Sequence, residues 1–113
     1  MANLSLETSV AERVAVVALS GELDLAGAAA LEQELARLEA ASPDAVVLDL
    51  RAVDFMDSSG LRVIAVASQR AAEHGRRLAL VPGSDQVMRV FEITRMRERL
   101  DFVVDPEEVT RAA

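Results

Sequence analysis

The segment Ala45-Val46-Val47-Leu48-Asp49-Leu50 is apolar at five of its six positions. A half-exposed strand would alternate in polarity; this run reads instead as a central strand covered on both faces. Such a strand needs neighbouring strands beside it and helices packed over it, so the rest of the chain must supply them.

The flanking sequence does. Asn3 to Thr8 places Leu4 and Leu6 on one face, as in a short half-buried strand. Arg13 to Leu19 is nearly all β-branched or small apolar residues and reads as a second strand, joined to the first through a hairpin connection at Ser9 to Glu12. After Ser20-Gly21-Glu22-Leu23-Asp24 the period changes. Leu31, Leu35 and Leu38 recur at helical spacing within a helix expected from Ala26 to Ala40, which Ser42-Pro43-Asp44 stops. Beyond the central strand, a second helix fits Ser59 to His74, with Leu61, Ile64, Ala65, Ala71 and Ala72 facing inward and Gly75 ending it. Arg77 to Val81 reads as another strand. Ser84 then caps a third helix with Val87, Val90 and Phe91 inward, and Met88 reads as core. Leu100 to Val104 is a last strand, and Asp105-Pro106-Glu107-Glu108 has the cap, proline and acids that open a short helix. The expected architecture is α/β: a mixed, mostly parallel sheet of four or five strands packed with about four helices. Residues 1–113 form one domain.

Composition narrows the chemistry. Cysteine is absent, which removes disulfides, thiolate nucleophiles and sulfur-ligated metals. Lysine is absent too, so no Schiff base or phosphate-gripping lysine is available. A formal net charge of -7 repels phosphate backbones and argues against direct nucleic-acid binding. Met1-Ala2-Asn3-Leu4-Ser5 lacks the features of a signal peptide, and charge-free runs such as Leu25 to Ala30 are far too short to insert in a membrane. The expected location is cytoplasmic, and no cofactor or metal is expected. His74, beside the helix-ending Gly75, reads as a C-terminal dipole partner; Arg95, Arg97 and Arg99 read as the solvated end of the third helix.

In α/β sheets, functional groups gather beyond the carboxyl ends of the central strands. Here that position falls on Arg51 to Leu61, in which Val53, Phe55 and Met56 are expected to tuck beneath a loop. Asp57-Ser58-Ser59-Gly60 follows at a helix start, where free N–H groups favour anions. A phosphate on Ser58 would be tolerated there, adding about -1.5 to -2 charges. Ordinary capping explains the same four residues and, taken on those residues alone, is the favoured reading. A nucleophilic serine fails on geometry: the sole histidine, His74, lies sixteen residues on in the same helix, about 24 Å away.

Leu19-Ser20-Gly21-Glu22-Leu23-Asp24, taken with Val46 to Leu50 and Phe55-Met56-Asp57-Ser58-Ser59-Gly60-Leu61, resembles the STAS domain of anti-sigma factor antagonists over nearly the whole chain. The resemblance implies a partner switch. The unmodified protein binds an anti-sigma factor serine kinase and frees a sigma factor; the kinase then phosphorylates the first serine after the aspartate, here Ser58; a PP2C-type phosphatase reverses this. The choice of Ser58 over Ser59 rests on the resemblance. It also implies a partner-facing set of Glu22, Asp24, Asp57, Ser58, Ser59, Gly60 and Arg62, with Asp24 equally readable as a turn cap and Arg62 standing where many relatives have glycine. Two other readings stand beside it: a STAS scaffold subunit of a transport or signalling complex regulated without phosphorylation, and a small hydrolase using Ser58.

Overall fold

The computed structural model describes residues 3–112; Met1 and Ala2, part of the N-terminal segment read above, lie outside them. The element order is β1 (Leu4–Ala11), β2 (Val14–Leu23), α1 (Leu25–Glu39), β3 (Ala45–Met56), α2 (Ser58–Glu73), β4 (Arg77–Val81), α3 (Asp85–Ile93), β5 (Asp101–Phe102) and α4 (Glu107–Ala112). One sheet has the strand order β1-β2-β3-β4-β5. The β1–β2 pair is antiparallel and the other three pairs are parallel. The expected α/β mixed sheet with four helices is therefore what the chain forms.

The sheet buries both faces. On one, Ala15, Val17, Val46, Leu48, Leu78 and Leu80 join the inward stripes of α1, α2 and α3 in the main core. On the other, Val14, Ala45, Val47, Ala79 and Val81 pack with Val103 and with Val109 of α4. The five-in-six apolar run of the sequence sits at the middle of this arrangement, as a doubly covered strand must.

Three local readings need correction. The hairpin connection is two residues, not four: both strands run on to Ala11 and Val14, and Glu12 (φ 50°) and Arg13 (φ 67°) make the turn. Two successive positive φ values are what a tight hairpin needs to match strand twist. Neither residue favours that region, and Arg13 is held there from outside. Its carbonyl accepts the Asp44 N–H at 2.8 Å, and its guanidinium pairs with Asp44 at 3.2 Å.

The inward stripe of α2 is the second correction. Gly60, Leu61, Val63, Ile64, Ala67 and Ala71 are buried, whereas Ala72 is exposed and Ala65 only half-buried. Gly60, Ile64, Ala67 and Ala71 recur at three- and four-residue spacing and centre the buried face, and Ala65 and Ala72 each lie about 100° further round the helix. In α3, Met88 joins Val87 and Phe91 in the core and Val90 is half-buried.

The third concerns the arginine run. α3 ends at Ile93, and Arg95 adopts a left-handed φ of 61° that breaks it before a single 3-10 turn over Met96–Glu98. Arg97 is not merely solvated: its guanidinium lies 5.2 Å from the centre of the Phe102 ring, a cation–π contact. The last strand is correspondingly short, at two residues rather than five.

Outside the core, one polar cluster ties β1 to α1. The Glu34 carboxylate accepts from Arg37 Nε at 2.8 Å and Nη2 at 2.7 Å, and from the Thr8 hydroxyl. Arg37 first, then Thr8, holds the Glu34 carboxyl down to about 2 from its ordinary 4.5. A carboxyl lowered on folding stabilises the fold above its unfolded pKa and loses that contribution as pH falls through the folded one. Arg37 is largely open to water, and screening leaves about 1 kcal/mol. That stability is expected to disappear between about pH 4.5 and pH 2. Urea titrations across this window should show a shallower acid dependence in Glu34→Gln; an unchanged slope would count against the cluster.

Candidate functional site

β2 and β3 end together, with Leu23 opposite Met56 in parallel register. The chain leaves each strand through an aspartate and enters a helix. Asp24 caps α1, its Oδ1 accepting the Gly27 N–H at 2.9 Å; Asp57 caps α2, its Oδ1 accepting the Ser59 N–H at 2.9 Å. The two helices therefore start side by side, with no acidic side chain in either first turn beyond the caps. Two partially positive helix ends share one edge of the molecule.

This closeness depends on glycine. A Cβ on Gly60 would lie 2.6 Å from Leu23 Cγ and 2.9 Å from the Leu23 carbonyl oxygen; one on Gly27 would lie 2.3 Å from the Glu22 carbonyl oxygen. Gly60 is thus buried against β2. Among the residues expected to face a partner it lies beneath the edge, where only a missing side chain lets α2 approach β2 so near.

Ser58 occupies the first position of α2 and is exposed; Ser59 is half-buried and its N–H is spent on Asp57. The structure brings Glu22, Asp24, Asp57, Ser58 and Ser59 to the same edge. Glu22 is half-buried and accepts from Asn3 Nδ2 at 3.2 Å. Arg62, one turn into α2, is exposed. Between α1 and α2 opens a groove of about 730 Å³ whose lining includes Leu25, Glu32, Ser58, Arg62 and Val66.

Sequence reasoning missed the apolar part of this surface. Leu25 is 75% exposed, Val66 40% and Phe55 42%. Phe55 does not tuck under a loop with Val53 and Met56, because residues 51–56 are not a loop. They continue β3, paired with β2 across two register shifts that each insert one extra residue on β3. Each insertion turns two successive side chains outward, so Leu50, Val53 and Met56 point in while Phe55 points out. The available signal for Leu25 and Val66 was that both are apolar yet lie off the inward stripes of their helices.

As for catalysis, His74 sits at the far end of α2, its Nδ1 bonded to the Arg70 carbonyl at 2.8 Å, an end-of-helix role as expected. Among the described residues no group of three or more histidines and carboxylates is placed to hold a metal, and no helix is long and apolar enough to cross a membrane.

Comparison with known proteins adds identity to this geometry. A model of the STAS domain family matches residues 5–109. The anti-sigma-F factor antagonist RsfB of Mycobacterium tuberculosis is 41% identical over 71 residues, 61% of this chain and 58% of that protein, so the match spans under two thirds of the relative. The anti-sigma-B factor antagonist of Staphylococcus aureus is 28% identical over 96 residues, 85% of this chain and 89% of that one. In structure, an anti-sigma factor antagonist from Mycobacterium paratuberculosis superposes with a TM-score of 0.85 at 28% identity, covering 96% of this chain and 92% of that one.

Proposed function

The chain belongs to the STAS domain family, and from that premise we propose that it is an anti-sigma factor antagonist switched by phosphorylation of Ser58. Unmodified, it binds an anti-sigma factor serine kinase and thereby frees a sigma factor. The kinase transfers the γ-phosphoryl group of ATP to Ser58 Oγ, binding is lost, and a PP2C-type phosphatase restores it. This work is done in the cytoplasm, and the chemistry belongs to the partners; the chain is a binder and a substrate, not an enzyme.

The observation that carries the reading is the exposure of Ser58 on the rim of a groove that also presents Leu25 and Val66. A kinase needs a hydroxyl it can reach, and a binding partner needs apolar surface to bury; here the two coincide. Ser59, half-buried behind Asp57, is the poorer acceptor. The two helix N-termini tolerate the phosphate once it is attached, so modification alters the surface without undoing the fold. Release follows from adding a dianion beside Asp57, Asp24 and Glu22 in an interface that must shed water to form.

Incubation with the cognate kinase, magnesium and ATP is expected to place one phosphate on Ser58, located by phosphopeptide mass spectrometry. Phosphate on Ser59 alone, or on neither serine, overturns the proposal. Ser58→Asp is expected to weaken kinase binding by about tenfold, or roughly 1.4 kcal/mol, with an unchanged far-UV spectrum. Equal affinities in calorimetry would remove charge as the switch.

A further inference from the structure

We propose that Arg62 receives the phosphate carried by Ser58, turning the cation of the groove from a contact for the partner into one half of an internal ion pair. The inference rests on the Ser58 reading and deepens it.

Ser58 and Arg62 are four residues apart in α2, so they lie on one face a single turn apart, and both line the groove between α1 and α2. Anionic group first and cation four residues later is the favourable order along a helix. Arg62 is exposed and, among the described residues, takes part in no ion pair. That sets it apart from Arg70 further along the same helix, which is bound to Glu39 at 2.9 Å. Glu32 of α1 also lines the groove and is likewise unbridged. Among the described residues, Arg62 and Glu32 of the unmodified groove are thus an unpaired guanidinium and an unpaired carboxylate open to a partner.

A phosphoserine changes that balance. Its oxygens match the planar fork of a guanidinium, and the long arginine side chain spans one helical turn. Once Arg62 is engaged by the phosphate, a partner carboxylate that used it loses its contact, while the groove gains net negative charge. Release then has two origins, repulsion of the partner and withdrawal of a cation it relied on.

The test uses the full chain with phosphoserine installed at position 58 during translation, so no kinase is involved. The charged groups around the phosphate are Asp57, Asp24 and Glu22 at the strand ends, Glu32 on α1, and Arg62. The carboxylates raise its second ionisation, whereas Arg62 and the partial positive charge at the starts of α1 and α2 lower it, and substituting Arg62 changes its own contribution alone. Following that ionisation by phosphorus NMR, Arg62→Gln is expected to raise it by about half a pH unit, from a unit charge at about 5 Å in water. Arg62→Lys should fall between the two. The Arg62 Nε–H resonance should move downfield only in the phosphorylated chain. Equal ionisation in wild type and Arg62→Gln, with an unmoved Nε–H signal, overturns the inference. Failure of the kinase to modify unphosphorylated protein would instead overturn the Ser58 reading, and the two failures are separately visible.

Discussion

Phe91→Ala is expected to remove about 4 kcal/mol of folding stability, the largest effect of any substitution considered for this chain. Phe91 is fully buried on α3 at the main core. The chain has only three aromatic residues, and two of them meet here: the Phe91 and Phe102 rings stand edge to face, 86° apart with centroids 5.3 Å distant. Deleting the ring opens a cavity that neighbouring valines and leucines fill poorly. It also strips the support from Phe102, which provides one of only two residues pairing β5 to β4. The expected result is a lower urea midpoint together with faster amide exchange at Phe102 and Val103, whose N–H donates to the Leu80 carbonyl at 2.9 Å. The chain contains neither tryptophan nor tyrosine, so circular dichroism is the suitable probe. A loss below about 1.5 kcal/mol would show that the site collapses around the gap.

Gly60→Ala should also destabilise, by about 2 kcal/mol, against the general trend for its kind of position. Alanine in place of glycine inside a helix ordinarily gains about 1 kcal/mol. Here the added methyl would overlap both the Leu23 side chain and its carbonyl oxygen, and the second cannot rotate away. The first turn of α2 must lift from β2 and carry Ser58 and Asp57 with it. The two effects separate in experiment: stability falls in denaturation, and partner affinity falls even at temperatures where the variant is fully folded. A Gly60→Ala chain as stable as wild type would mean that Leu23 repacks at little cost.

Much of this was readable beforehand. The doubly covered strand, the alternation of strands and helices, the caps at Asp24, Asp57 and Ser84, and the stop at Gly75 all follow from local chemistry acting over a few residues. What escaped was set by pairing across the sheet. β3 appeared to end at Leu50 because its continuous apolar run stops there. Beyond it β2 and β3 slip twice, and a single strand's sequence does not record where its neighbour slips. The same slips expose Phe55. Likewise Glu12 and Arg13 carry no turn signature, and the carbonyl and guanidinium of Arg13 meet a partner, Asp44, thirty-one residues away. At the site, Asp57-Ser58 and its helix start were legible. The groove was not, since it exists only where α1 and α2 lie side by side.

The strand order running straight from β1 to β5 has a consequence for how the chain comes into being. Every strand pairs with the one synthesised just before it, so no strand waits for a neighbour that has yet to be made. A sheet of this kind is able to assemble in the direction of translation, beginning with the β1–β2 hairpin and adding one strand-and-helix unit at a time. The edge that bears Asp24 and Ser58 is then complete once β3 and the start of α2 have docked, before β4 and β5 close the far side of the sheet.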